Sequence, residues 1–177
     1  MTTSRVIRYL RPDRPGISGG NPIGPDTSDE RWMEHAIELA QEAGDAGEVP
    51  VGAVVVRDGQ LVGRGRNRMR EYADPCAHAE MLALRNAHEP GGAGRLDGDT
   101  LFVTLEPCFQ CAGAIVLARI ARVVFGAWDP RLGAAGSRFD LFGEGILGEV
   151  RVRSGLLEDR CSELLSGWFR ERRARED

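Results

Sequence analysis

Two short stretches of the chain hold residues that could do chemistry together: His78-Ala79-Glu80 and Pro107-Cys108-Phe109-Gln110-Cys111. They offer one imidazole, two thiols and one carboxylate. Cys108 and Cys111 are three residues apart, so on a helix they share one face and can grip a single ion. A helix N-terminus also favours the thiolate form, which makes both sulfurs better ligands. With His78 they form a three-donor set, and zinc bound by three protein ligands keeps its fourth tetrahedral position for water, as catalytic zinc sites do. Zinc in such a site can bring the pKa of that water from about 15.7 to about 7.

Hydroxide alone could not finish the displacement of an amino group from a ring, because the ring nitrogen and the leaving amine must both gain protons. A carboxylate beside the metal can move them, and Glu80 is the candidate. In a regular helix two residues at i and i+2 diverge by about 200°. His78 and Glu80 can therefore serve one site only if His78 sits at the irregular start of its helix. The bland alternative is a closed structural zinc site with Cys76 or Cys161 as fourth ligand, which leaves Glu80 without a purpose. His35 and His88 have no partners at ligand spacing and read as surface or packing residues.

The elements that must position these groups follow from periodicity and turn chemistry. Thr27-x-x-Glu30 reads as a capping box before an amphipathic helix carrying Trp32, Ala36, Ile37 and Ala40. Residues Val51 to Val56 and Leu61 to Gly65 flank Asp58-Gly59, a hairpin signal. A helix over His78 to His88 is stopped by Pro90-Gly91-Gly92, and Thr100 to Leu105 reads as a buried strand. Pro107 can open a helix over Cys108 to Ala118, because its missing N–H is not needed in a first turn. Arg122 to Ala127 is a further strand, and Gly133 to Gly148 reads as a loop around a short helix near Ser137 to Phe142. Val150 and Val152 alternate with Arg151 and Arg153 as an exposed edge strand before a last helix over Leu157 to Arg172. This order predicts a three-layer α/β/α domain with one mixed five-stranded sheet, over residues 29–177. Residues 1–28, rich in proline and glycine and without apolar periodicity, read as a disordered tail.

Composition narrows the partners. The 177-residue chain has a formal net charge of -4, so any nucleic acid must meet a local basic surface rather than the whole molecule. Every basic residue is arginine, whose planar fork suits phosphate oxygens. The last helix sets Trp168 and Phe169 beside Arg170, Arg172 and Arg173, a surface for phosphates or simply a solvated helix end. Four cysteines are too few for a disulfide scaffold and point to a reducing, cytoplasmic compartment. No run of about 18 apolar residues and no signal-peptide pattern is visible, so neither membrane insertion nor export is expected. Gly133 to Gly136 lacks the strand and lysine of a phosphate loop.

The spacing of His78-Ala-Glu80 and Pro107-Cys-x-x-Cys111 resembles the cytidine deaminase-like zinc superfamily. The flanking Glu48-Val-Pro-Val-Gly-Ala-Val, Gly65-Arg-Asn67-Arg, Asp74-Pro-Cys-Ala-His-Ala-Glu80, Thr104-Leu-Glu-Pro-Cys-Phe-Gln-Cys-Ala-Gly-Ala114, Val123-Val-Phe-Gly-Ala127 and Gly133-Ala-Ala-Gly-Ser137 are similar to the bacterial tRNA-specific adenosine deaminases, over roughly Asp29 to Arg173. That resemblance implies a cytidine deaminase-like fold and one zinc per subunit on His78, Cys108 and Cys111, with Glu80 shuttling protons. It implies that Asn67 and Ala79 contact a flipped nucleotide, and that wobble adenosine of a tRNA anticodon loop is converted to inosine by a homodimer. The family's last-helix segment resembles Leu164-Leu-Ser-Gly-Trp-Phe-Arg170, which would bring Arg170, Arg172 and Arg173 close to that loop. Cys76 stands where a threonine is expected, Gln110 where a methionine is, and Trp128 and Pro130 fall in a loop usually more basic near Asp129. Two other readings stay open. One is a deaminase of a free base or nucleoside such as guanine or cytidine, and the other a catalytically silent zinc scaffold that binds RNA or protein.

Overall fold

A computed structural model describes residues 27–88, 94–143 and 149–176. The tail expected at the start of the chain lies, up to residue 26, outside the described residues. Helix α1 spans Thr27–Asp45 and turns Met33, Ala36, Ile37 and Ala40, all at 3% exposure or less, toward the sheet. Strands β1 (Gly52–Arg57) and β2 (Gln60–Arg66) pair antiparallel. They are joined by Asp58 and Gly59, whose φ angles of 49° and 73° give the backbone of a type I′ turn. Helix α2 (Ala79–Ala87) returns the chain to β3 (Thr100–Leu105), and α3 (Phe109–Leu117) returns it to β4 (Arg122–Ala127). The short β5 (Arg151–Arg153) and the long α4 (Glu158–Glu176) complete the order.

The sheet runs β2-β1-β3-β4-β5, antiparallel from β2 to β3 and parallel from β3 to β5. Alternation along the strands feeds two separate cores. Ala53, Val55, Leu101, Val103, Val123 and Phe125 face one side, where Ala79, Ala83, Ala112 and Ile115 of α2 and α3 cover them. Val54, Val56, Phe102 and Val124 face the other, under Trp32, Met33 and Ile37 of α1 and Leu156 and Cys161. The expected three-layer α/β/α sandwich with one mixed five-stranded sheet is thus the observed one. The edge is closed by charge: Asp29, 2% exposed, accepts both arms of the Arg122 guanidinium at 2.9 and 2.5 Å and is also met by Arg153 of β5. A buried carboxylate needs such partners, because leaving it alone out of water is costly.

One expected element is absent. Residues 137–142 form turns and a bridge between Ala135 and Asp140 rather than a short helix. The N–H groups of Ala135 and Ser137 are already held by the Glu106 carboxylate at 2.9 and 3.0 Å, and Gly136 has φ 134°, outside any helix. Tertiary hydrogen bonds have replaced the local ones that periodicity suggested.

Candidate active site

Helices α2 and α3 both start at the same end of the sheet, and the residue capping each is a candidate ligand. His78 (φ -72°, ψ 155°) and Cys108 (φ -74°, ψ 173°) are both extended, so each leaves the strand-like path just where its helix begins. The expected boundary position of His78 is therefore observed, and it frees the imidazole from the helical direction that would separate it from Glu80. The α2 backbone lies unusually close to β2. A Cβ on Gly65 would overlap Ala79 O and lie 2.5 Å from Ala83 N, so only glycine admits this approach.

Asn67, just past β2, ties the three pieces together. Its Oδ1 accepts from the Ala79 N–H at 3.0 Å, its Nδ2 donates to Val49 O at 3.1 Å, and its own N–H donates to Val51 O at 3.0 Å. Glu48, 3% exposed, holds the turn that follows by accepting from the N–H groups of Arg70 and Glu71 at 2.8 and 2.9 Å. The structure thus brings Asn67 and Ala79 into direct contact at the first turn of α2, with Ala79 fully buried.

The ligand atoms of His78, Cys108 and Cys111 all lie within 4.8 Å of one another. His78 Nδ1 stands 3.5 Å from Cys108 Sγ and 3.4 Å from Cys111 Sγ. Zinc–nitrogen and zinc–sulfur bonds near 2.0 and 2.3 Å, opened to a tetrahedral angle, separate N from S by about 3.6 Å. The donor set fits zinc in both chemistry and spacing. Among the described residues no other group of histidine, cysteine or carboxylate side chains is gathered this way, and neither Cys76 nor Cys161 belongs to this one. Cys76 is exposed, while Cys161 is buried in the opposite core. A closed four-ligand site has no fourth member here.

Charges around the cluster suit a cation. The Cys111 thiol donates to Cys108, which pushes the Cys108 thiol down to about 4 against the opposing effect of burial, with His78 adding to the fall. Cys111 is pushed far up by that same hydrogen bond, then by burial and by the Glu80 charge. His78 is raised, mainly through its hydrogen bond with Cys108. The Cys108 thiol is thus held toward its thiolate form, and negative charge on that sulfur suits a cation. Glu80 is 4% exposed, and burial pushes its carboxyl up to about 7. It sits beside Cys111 without joining the ligand group, placed to hold a proton near neutrality.

The last-helix arginines are not part of this cluster. Arg170 is exposed with Nη1 3.4 Å from Ser166 Oγ, Arg172 stacks 5.4 Å over the Trp168 ring, and Arg173 is exposed. Trp168 and Arg172 line a cleft of about 600 Å³ between the ends of α1 and α4, which reaches Pro50. Pro50 follows Val49, the residue whose carbonyl holds Asn67, so this cleft adjoins the site without sharing a ligand. Sequence reasoning quoted Glu48 and Glu106 within longer stretches but gave neither a role. The signal available for Glu106 was its place at the end of an apolar strand, where a carboxylate must be paired if it is buried.

Comparison with known proteins agrees with this geometry. The family described as cytidine and deoxycytidylate deaminase zinc-binding region matches residues 26–127. A tRNA-specific adenosine deaminase from Bacillus subtilis is 46% identical over 148 residues, covering 83% of this chain and 92% of that protein. One from Haemophilus influenzae is 48% identical, covering 82% and 85%. A solved structure from work on A-to-I editing by tRNA:A34 deaminases at the wobble position superposes with TM-score 0.73 at 46% identity, over 76% of this chain and 99% of the other. Another, a protein in complex with 8-azaguanine, superposes with TM-score 0.68 at 26% identity, over 79% and 83%.

Proposed function

The chain belongs to the cytidine and deoxycytidylate deaminase zinc-binding family and is similar to tRNA-specific adenosine deaminases at 46% and 48% identity, and from that membership and similarity we propose that it converts adenosine at the wobble position of a tRNA to inosine. The observation that carries this reading is the open three-donor cluster with a buried, non-ligating carboxylate at its side. A silent scaffold would have no use for Glu80, a carboxyl whose burial disfavours its charged form.

His78, Cys108 and Cys111 would hold zinc, which supplies a water made acidic enough to attack at neutral pH. The rest is done by the chain itself. Glu80, buried beside the ligands, takes a proton from the attacking water and delivers it to N1 of the adenine ring, raising the electrophilicity of C6. It then takes the remaining proton from the hydroxyl now on C6 and passes it to the amino group, which leaves as ammonia while the oxygen stays on C6 as a carbonyl. Adenosine and water thus become inosine and ammonia. Asn67 keeps one amide hydrogen beyond the one given to Val49 O, and we assign it and the Ala79 turn to the flipped base. Arg170, Arg172 and Arg173 meet the phosphates of the anticodon loop. The working unit is a homodimer in the cytoplasm. Support for association comes from exposed apolar side chains on and beside α3, Leu117 at 69%, Phe109 at 49% and Phe139 at 45%. Among the described residues no helix is long and apolar enough to cross a membrane.

The test is to incubate the zinc-loaded protein with unmodified tRNA bearing adenosine at the wobble position and to measure inosine. Guanine, cytidine and free adenosine are run beside it. Inosine in the tRNA with the small molecules untouched is the expected result. Turnover of a free base or nucleoside in preference to tRNA would replace this reading with the other deaminase one.

A further inference from the structure

Between β4 and β5 the chain has no helix or strand of its own from Trp128 to Gly143, yet its first half is not loosely held. The Glu106 carboxylate, 2% exposed, accepts three backbone N–H groups from it: Asp129 at 3.0 Å on Oε2, and Ala135 at 2.9 Å and Ser137 at 3.0 Å on Oε1. Backbone contacts tie the same segment to the start of α3. Ala134 N–H donates to Pro107 O at 2.8 Å, Cys108 bridges with Gly133, and Glu106 N–H donates to Ala127 O at 2.8 Å. Gly133 is packed so tightly over the carboxylate that a Cβ there would overlap Glu106 Oε2 and Cδ, with Asp129 O at 2.5 Å. One buried anion thus fixes, relative to Cys108, a wall that exposes Leu132 at 59%, with Trp128 at 41% just before it.

Resting on the reading of the site as a tRNA deaminase, we propose that Glu106 is a positioning residue for the substrate: by gathering the N–H groups of Asp129, Ala135 and Ser137 it sets segment 129–137 as the wall against which the nucleotides beside the target base are held. It touches neither metal nor base. His78, Cys108 and Cys111 sit at the starts of α2 and α3, and none of the three bonds accepted by the Glu106 carboxylate comes from any of them, so metal binding survives the loss of the staple. Substrate holding does not. In Glu106→Gln one acceptor oxygen becomes an NH₂ donor facing backbone N–H groups, and at least one of the three bonds is lost. Hydrogen bonds to a charged group are strong enough that roughly a 10- to 100-fold rise in KM for tRNA is expected.

The experiment first requires that the parent form inosine in tRNA; if it does not, it is the underlying reading that fails, and the Glu106 variants are then judged by exchange alone. With an active parent, Glu106→Gln and Gly133→Ala are assayed for zinc content, for kcat and KM on tRNA, and for amide hydrogen exchange at Asp129, Ala135 and Ser137. Expected are parental zinc, a KM effect larger than the kcat effect, faster exchange at those amides with α3 unchanged, and a double variant hardly worse than either single one. Loss of zinc in Glu106→Gln, a fall in kcat at unchanged KM, or parental exchange at the three amides would each overturn the proposal. Because exchange is read on folded protein without substrate, the staple is tested even where turnover is weak.

Discussion

The N-termini of α2 and α3 and the C-terminal half of α4 carry the two halves of the proposed function under opposite conditions. At the first, Glu80 is 4% exposed and Cys111 fully buried, helices approach the sheet so closely that Gly65 admits no side chain, and among the described residues no buried side-chain nitrogen or oxygen lacks a hydrogen-bond partner. At the second, Arg170 and Arg173 stand in water and Arg172 lies along a tryptophan face at the rim of a cleft. Chemistry on a base needs groups held within fractions of an ångström in a dry pocket, where charge interactions are strong. Holding a flexible polyanion needs only positive charge in roughly the right place, screened by salt. Substitutions at the first end should therefore act all or none, and at the second by degrees.

The largest expected effect tests the first half of that contrast. Glu80→Ala should retain about one zinc per chain while turnover falls by roughly 10²- to 10⁴-fold, because the carboxylate moves protons and is not a ligand. Metal analysis beside an inosine assay checks it, with Cys108→Ser as the variant that loses both. A Glu80→Ala enzyme with parental turnover would sink the mechanism.

The same burial makes a stability prediction. In the metal-free protein the folded carboxyl of Glu80 is raised from 4.5 to about 7, so the native state holds the proton more tightly than the unfolded chain does. Stability is then full below the ordinary carboxylate range, declines as pH rises toward about 7, and is level above it. The decline attributable to Glu80 is on the order of 3 kcal/mol. Glu80→Gln should remove it, so urea unfolding after chelation should show the variant gaining on the parent between pH 5 and pH 8. Parallel curves across that range would mean the carboxylate is ionised without cost.

How legible each end was in the sequence follows the same contrast. Cys108 and Cys111 announce themselves by spacing, and the need for His78 and Glu80 to converge placed His78 at a helix boundary before any fold was known. Element order and hairpin turn were equally local, written in Asp58-Gly59 and in apolar runs such as Thr100 to Leu105. What spacing does not carry is a bond between distant backbones. Asn67 bridges Val49 and Ala79, and Glu106 reaches Asp129, Ala135 and Ser137, so neither set of partners shows until the chain is folded. The helix expected near Ser137 failed for that reason, its N–H groups having been claimed from outside the segment.

At the α4 end the expected effect is graded. Replacing Arg170, Arg172 and Arg173 together with alanine should raise KM for tRNA several-fold and leave zinc content and fold intact. Each lost phosphate contact should also flatten the log-log salt dependence of binding by about 0.7, so three would flatten it by about 2. Binding of tRNA at two salt concentrations measures this. Identical slopes in parent and variant would show that the surface is a solvated helix end, and the phosphate contacts would then fall to Arg131 in the segment that Glu106 holds.

The smallest effect belongs to Cys76, and it is the sharpest test of where the buried region stops. This thiol lies two residues from His78, close enough in sequence to serve as a fourth ligand, and a closed site would need it. Its backbone is what the structure uses: the Cys76 N–H donates to Asp74 Oδ1 at 2.8 Å and its carbonyl accepts from Gln110 Nε2 at 3.3 Å, while the residue is exposed. Serine keeps both of those bonds and changes only the solvent-facing atom, and surface replacements of this kind rarely move free energies by more than about 0.5 kcal/mol, or roughly twofold in a rate or equilibrium constant. Cys76→Ser should accordingly bind about one zinc per chain and deaminate within about twofold of the parent. Titration of zinc against a competing chelator, with Cys108→Ser alongside, gives the answer. Should Cys76→Ser lose the metal as completely as Cys108→Ser, the fourth position is filled by sulfur rather than water, and the site is structural after all.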